Sequence, residues 1–139
     1  MELKLCFMGL GSVGRELIKL IDRKREDVQA QYDLSFKIVG IATGRHGILV
    51  DPNGIDHAYA LSGHWDDQAW PSTEENRVKM IRECGATALV EMSPINRETG
   101  RPALDYLELA LNLGMHAISA NKGPVVHGYR HLNALAKQQ

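Results

Sequence analysis

Leu3-Lys4-Leu5-Cys6-Phe7-Met8-Gly9-Leu10-Gly11-Ser12-Val13-Gly14 is a short, mostly apolar run that breaks into three glycines spaced G-x-G-x-x-G. A run this apolar, bounded by turn residues, suits a strand buried on both faces at the centre of a parallel sheet, here Leu3 to Gly9. From Ser12 the pattern changes period. Val13, Leu17, Leu20 and Ile21 recur at helical spacing, with Arg15, Glu16, Lys19, Asp22 and Arg23 mainly on the other side, so an amphipathic helix packed on the sheet is expected. A glycine turn between strand and helix aims backbone amides and the positive end of the helix dipole at a pyrophosphate. Gly9 permits the tight turn, Gly11 lets the backbone come close to the ligand, and Gly14 lets helix and strand pack. Leu10, Ser12 and Val13 complete the candidate cofactor-binding turn. A merely structural glycine turn is the competing explanation, and the position between strand and helix argues against it.

Working outward, Phe36 to Ala42 is a second strand, β-branched and ending at Thr43 and Gly44, where a turn is expected. The mixed charges Arg23 to Asp27 read as a solvated helix end rather than a phosphate-binding patch. Arg45 to Trp70 holds Gly47, Pro52, Asn53, Gly54 and Gly63 among apolar residues, which predicts an irregular loop with at most a short helix. Ser72, with Glu75 three residues later, has the form of a capping box, so a helix is expected from Pro71, with Val78 and Ile81 buried and Gly85 at its end. Ala86 to Val90 is a third strand terminating at Glu91. Pro102 opens a helix carrying Leu104, Leu107 and Leu111, Gly114 ends it, and His116 to Ser119 is a fourth strand. A last helix is expected over His127 to Lys137.

Strands alternating with helices give a Rossmann-type α/β fold: a doubly wound parallel sheet with helices on both faces, one domain over residues 1–139. Ligands of such sheets bind at the carboxyl ends of the strands, where every motif here falls. With 139 residues and 44% hydrophobic content, the chain can bury a core without disulfides or metal. The 16 basic and 17 acidic residues leave a net charge of −1, which offers no global attraction for nucleic acid or an anionic membrane. No apolar run approaches a bilayer span and no secretory signal is evident, so a soluble, cytoplasmic protein is expected, with Cys6 and Cys84 as reduced thiols. Two histidine groupings, His127 with His131 and His57 with His64 near Asp56 and Asp66, are read as ordinary surface rather than metal sites. Gly128 stands where a zinc-protease motif has its base.

The end of the second strand bears on which dinucleotide binds. An NAD site has an acidic residue there for the adenosine ribose, but this chain reads Thr43-Gly44-Arg45-His46. Arg45 suits a 2′-phosphate, so NADP is favoured over NAD, against the alternative of an ordinary exposed loop arginine.

Glu91-Met92-Ser93-Pro94-Ile95-Asn96-Arg97-Glu98-Thr99-Gly100-Arg101-Pro102-Ala103-Leu104 and Ser119-Ala120-Asn121-Lys122-Gly123-Pro124-Val125 closely resemble two signatures of homoserine dehydrogenases. With the glycine turn, the resemblance extends over essentially the whole chain and is least distinct in the middle. It implies an enzyme that interconverts L-homoserine and L-aspartate 4-semialdehyde by hydride transfer with NAD(P), on the way to threonine and methionine. It also implies Ser93 and Pro94 beside the nicotinamide, and Lys122 near cofactor and substrate. A lysine at a strand's carboxyl end, partly desolvated, is suited to stabilise alkoxide charge and assist proton transfer. Asn121 either orients that lysine or the cofactor, or bonds its own backbone. Glu91 either reaches the site or ends its strand in solvent. Family members that the chain resembles continue into a substrate and dimerisation region, so a homodimer is expected of the full enzyme and negligible turnover of these residues alone. A stand-alone dinucleotide-binding or redox-sensing module, and the cofactor domain of another amino-acid or aldehyde dehydrogenase, are the alternatives.

Overall fold

The computed structural model describes residues 1–65 and 68–139. Its centre is β1 (Glu2–Met8), flanked by parallel strands β2 (Ser35–Ala42) and β4 (Ala88–Glu91), with β5 (His116–Ser119) parallel to β4 at one edge. The segment expected to be irregular instead supplies β3 (Ile48–Val50), which runs antiparallel to β2 at the other edge and gives the order β3-β2-β1-β4-β5. The sheet is therefore mixed, although its four long-range crossover strands are parallel as expected of a Rossmann-type fold. Only Ile48, Leu49 and Val50 make up β3, too few to show a period. A hydrogen-bonded bridge between Ile48 and Trp70 adds to this edge.

Helices cover both faces. On one, α1 (Ser12–Tyr32) and the short α2 (His57–Ser62) pack Ile18, Ile21 and Ala60 against Leu5, Phe7, Ile38 and Ile41. On the other, α3 (Glu74–Glu83) and α4 (Ala103–Asn112) pack Met80, Ile81, Leu107 and Ala110 against Cys6, Val39 and Leu89. Near-continuous apolar strands are what burial on two faces requires.

Several local expectations are corrected. The buried stripe of α1 is Gly14, Ile18 and Ile21, whereas Val13 and Leu20 are exposed: the helix is rotated so that β-branched Ile18 sits against the sheet. This helix also runs past Arg23 to Asp27 to its cap at Asp33, with Lys24 paired to Asp27 and Arg25 to Asp22 on the solvent side. Helix α3 is capped by Thr73, whose side chain accepts from the Asn76 amide, because the Ser72 hydroxyl is drawn instead to the Thr43 carbonyl. Helix α5 (Lys122–Ala136) starts five residues before the expected His127. Gly123 and Pro124 look like breakers in sequence, but proline is tolerated in a first turn, where its missing N–H has no helical acceptor anyway.

Asp66 lies outside the described residues. Among the described residues no cluster of His, Cys, Asp and Glu has the geometry to hold a metal, and no helix is long and apolar enough to cross a membrane. His57 contacts Asp22, His127 contacts the Arg97 carbonyl and His131 faces Glu108. Gly128 marks the place where α5 crosses Leu104 of α4, so its lack of a side chain serves packing.

Candidate functional site

Parallel register brings the ends of four strands level, Ala42 beside Met8, Met8 beside Glu91 and Glu91 beside Ser119. Hydrogen bonds continue across this row: Gly9 donates to Ala42 (2.8 Å), Met92 to Met8 (2.8 Å) and Ala120 to Glu91 (3.0 Å), each from backbone N–H to carbonyl. The loops carrying the glycine turn, Thr43, Ser93 and Asn121 thus leave the sheet side by side. The row includes the point between β1 and β4 where the strand order reverses, the usual ligand crevice of this architecture.

The glycine turn has the form a pyrophosphate site requires. Gly9 has φ +103°, and a Cβ there would stand 2.8 Å from the Met92 carbonyl oxygen, so the β1–α1 turn and the β4 loop lie as close as backbone allows. Gly11 has open space where a Cβ would be. It is also the N-cap of α1, and no side chain caps that helix or puts an acid in its first turn. The first amides of α1 therefore open on the crevice with no side-chain cap among the described residues, which is the donor set an anion would find. A dinucleotide diphosphate fits this cradle.

Beyond the turn the two halves of the crevice differ. At the β2 end, the Thr43 hydroxyl donates to the Gly47 carbonyl (2.9 Å) and accepts from the His46 amide (2.9 Å), and its carbonyl takes the Ser72 hydroxyl. Thr43 is thus committed to the β2–β3 turn. Arg45 is exposed beside it, and Arg77 reaches back from α3 to Ser72 (3.1 Å), a second cation near this end that sequence periodicity gave no reason to choose.

At the β4–β5 end, Asn121 is buried (6% exposed); its side-chain oxygen accepts from the Gly123 amide (3.0 Å) and its amide nitrogen donates to the Ser93 carbonyl (3.1 Å). Asn121 thus bonds its own turn, the second of the two sequence alternatives, and also ties α5 to the β4 loop. Lys122 follows as the first residue of α5 and is exposed, not partly desolvated as expected. Pro94 is exposed and Ser93 half-buried. Glu91 does not end its strand in solvent: it is completely buried, and one carboxylate oxygen accepts from the Ser93 amide (2.8 Å) and the Ser93 hydroxyl. Burial raises its carboxyl above the ordinary carboxylate range, opposed by hydrogen bonding from Ser93 first and from Asn121 and Ser119 less.

No family model matches the chain. An NAD(+)-dependent homoserine dehydrogenase of Pseudomonas canavaninivorans is 29% identical to it, over 98% of this chain and 40% of that protein. A homoserine dehydrogenase of Methanocaldococcus jannaschii is also 29% identical, over 96% of this chain and 41% of its own length. The chain is homologous to the N-terminal part of homoserine dehydrogenases. A hyperthermophilic archaeal homoserine dehydrogenase, solved in complex with NADPH, shares the fold with a TM-score of 0.76 at 24% identity, over 99% of this chain and 41% of that one. The chain spans about two-fifths of the length of the curated homoserine dehydrogenases it matches.

Proposed function

We propose that residues 1–139 form the dinucleotide-binding domain of a cytoplasmic, homodimeric homoserine dehydrogenase, which interconverts L-homoserine and L-aspartate 4-semialdehyde toward threonine and methionine. The observation that carries the reading is the α1 N-terminus, which starts at a glycine with no side-chain cap among the described residues, at the switch point of the sheet. Similarity to homoserine dehydrogenases supports the choice of substrate.

The amides from Ser12 to Gly14 hold the diphosphate, with Gly9 and Leu10 shaping the turn. Arg45 faces the adenosine ribose and favours a 2′-phosphate, so NADP is preferred to NAD. Ser93, Pro94 and Asn121 border the nicotinamide. When bound, the nicotinamide supplies or accepts the hydride. Lys122 holds positive charge at the substrate oxygen and assists its proton transfer. A lysine at a helix N-terminus is opposed by the dipole, so helix stability does not account for its place.

Fluorescence titration of the purified chain with NADPH and NADH tests the reading. NADPH is expected to bind more tightly, and Arg45→Ala to weaken NADPH by about tenfold with NADH little changed, the scale of one charge-assisted contact. Absence of binding by both cofactors overturns the proposal; tighter NADH, unmoved by the mutation, overturns the NADP preference. Homoserine-dependent NADPH formation is expected to be negligible for residues 1–139 alone, because cofactor binding without substrate orientation gives no catalysis.

A further inference from the structure

Glu91 is out of keeping with its surroundings. It is the one acidic residue among the fully buried side chains of the described structure, set among strands β1, β4 and β5. Its first carboxylate oxygen is bound by Ser93, the second residue after the strand ends, so the carboxyl group turns toward the crevice end of the sheet. Its second oxygen, Oε2, is buried and has no hydrogen-bond partner, and Glu91 forms no ion pair among the described residues. The neighbouring polar side chains bring it no charge: Asn121 and Ser119 ease its burial slightly but are neutral, and they also donate to the Ser93 and Asn121 carbonyls.

A buried carboxylate without a counter-charge costs several kcal/mol, and such groups persist where something else supplies the missing interaction. Packing does not explain it, since an apolar residue of similar volume fills a strand end at no such cost. Its place on β4, across the switch point from the β2 end that takes the adenosine, puts it on the nicotinamide side of the crevice. Of the two cofactor forms, only the oxidised ring carries a positive charge.

We propose that Glu91 is the counter-charge for the oxidised nicotinamide, so that this domain binds the pyridinium form of its cofactor more tightly than it would with a neutral residue there. The inference rests on the dinucleotide reading above. Glu91 touches no reacting atom in this arrangement and acts as a specificity-determining residue for the cofactor's redox state. Two unit charges several ångströms apart at an effective dielectric of about 20 attract enough to change an equilibrium about tenfold or more.

The test is the ratio of dissociation constants, NADP⁺ over NADPH, measured by calorimetry at mildly alkaline pH for the parent chain, Glu91→Gln and Glu91→Asp, each shown to be folded by its thermal transition. Glu91→Gln keeps the size and the acceptor for Ser93 but removes the charge; it is expected to raise the ratio about tenfold, mainly by weakening NADP⁺. Glu91→Asp disturbs the Ser93 contact but keeps the charge, and its ratio is expected to stay near that of the parent. A ratio unchanged in Glu91→Gln, or changed equally in both variants, overturns the inference while leaving cofactor binding intact. Failure of the parent to bind either form overturns the dinucleotide reading and this inference with it.

Discussion

Helices α1 and α5 both begin at the crevice end of the sheet, yet their first turns are finished in opposite ways. Asn121 closes α5 with its own side chain and fastens it to Ser93, while Gly11 leaves α1 with no side-chain cap. Asp56 and Thr73 close α2 and α3. Helix α4 also lacks a side-chain cap, but its Leu104 amide finds the Gly100 carbonyl and Asp105 supplies charge in the first turn. Helix α1 alone among the described helices has neither a capping side chain nor an acidic first turn. The contrast teaches where stability has been withheld. A free set of amides is a cost to the folded chain and an asset to a ligand that brings negative charge.

The largest expected effect comes from the glycine that makes the two regions meet. At Gly9, φ +103° disfavours any side chain, and the obstructing atoms are the Met92 backbone, which cannot rotate away. Gly9→Ala is expected to destabilise the fold by about 3 kcal/mol, seen as a lowered urea midpoint. A midpoint within experimental error of the parent would show that the β1–α1 turn and the β4 loop are not in rigid contact, and the comparison between the two helix starts would lose its common frame.

Next in size is the closed helix. Asn121→Ala removes the cap on the Gly123 amide and the donor to the Ser93 carbonyl, both in a buried setting, and is expected to cost about 2 kcal/mol. The loss sharpens the contrast if hydrogen exchange accelerates at both the α5 start and the Ser93 loop, because one side chain holds both. Acceleration at α5 alone would mean that the bond to Ser93 contributes little.

These two sites also mark how far the sequence could be read. The glycine spacing at Gly9, Gly11 and Gly14 and its place between apolar strand and helix made the fold and the anion cradle legible, since those roles are local. Asn121 stood out too, but Gly123 and Pro124 concealed that it begins a helix, because both residues signal breaks unless their position in the first turn is known. Periodicity points to Val13 and Leu20 rather than Ile18, because period alone leaves the helix free to rotate until the opposing strands are in place. The burial of Glu91 was beyond reach for the same reason, as it depends on β1 and β5 closing around β4. Cys6 and Cys84, distant in sequence, turn out to share a hydrogen bond in the core that raises the first thiol and brings the second down to about 7. No spacing rule connects them.

The smallest change in stability gives the sharpest test, because its sign is reversed. The N-cap position at Gly11 has φ −84° and ψ −155°, extended backbone that asparagine adopts without strain, and nothing stands where its Cβ would go. Gly11→Asn therefore offers α1 the kind of cap that Asn121 gives α5. The folded chain is expected to gain a few tenths of a kcal/mol, the measured advantage of asparagine over glycine at an N-cap. The same side chain then occupies the amides and the space a diphosphate needs, so NADPH affinity is expected to fall at least about tenfold, the worth of losing one charge-assisted contact. Urea denaturation and fluorescence titration of one variant read both quantities. A gain in stability with undiminished binding would mean that the open amides of α1 are not where the cofactor is held, whereas opposed signs would show that the missing cap is the binding site itself.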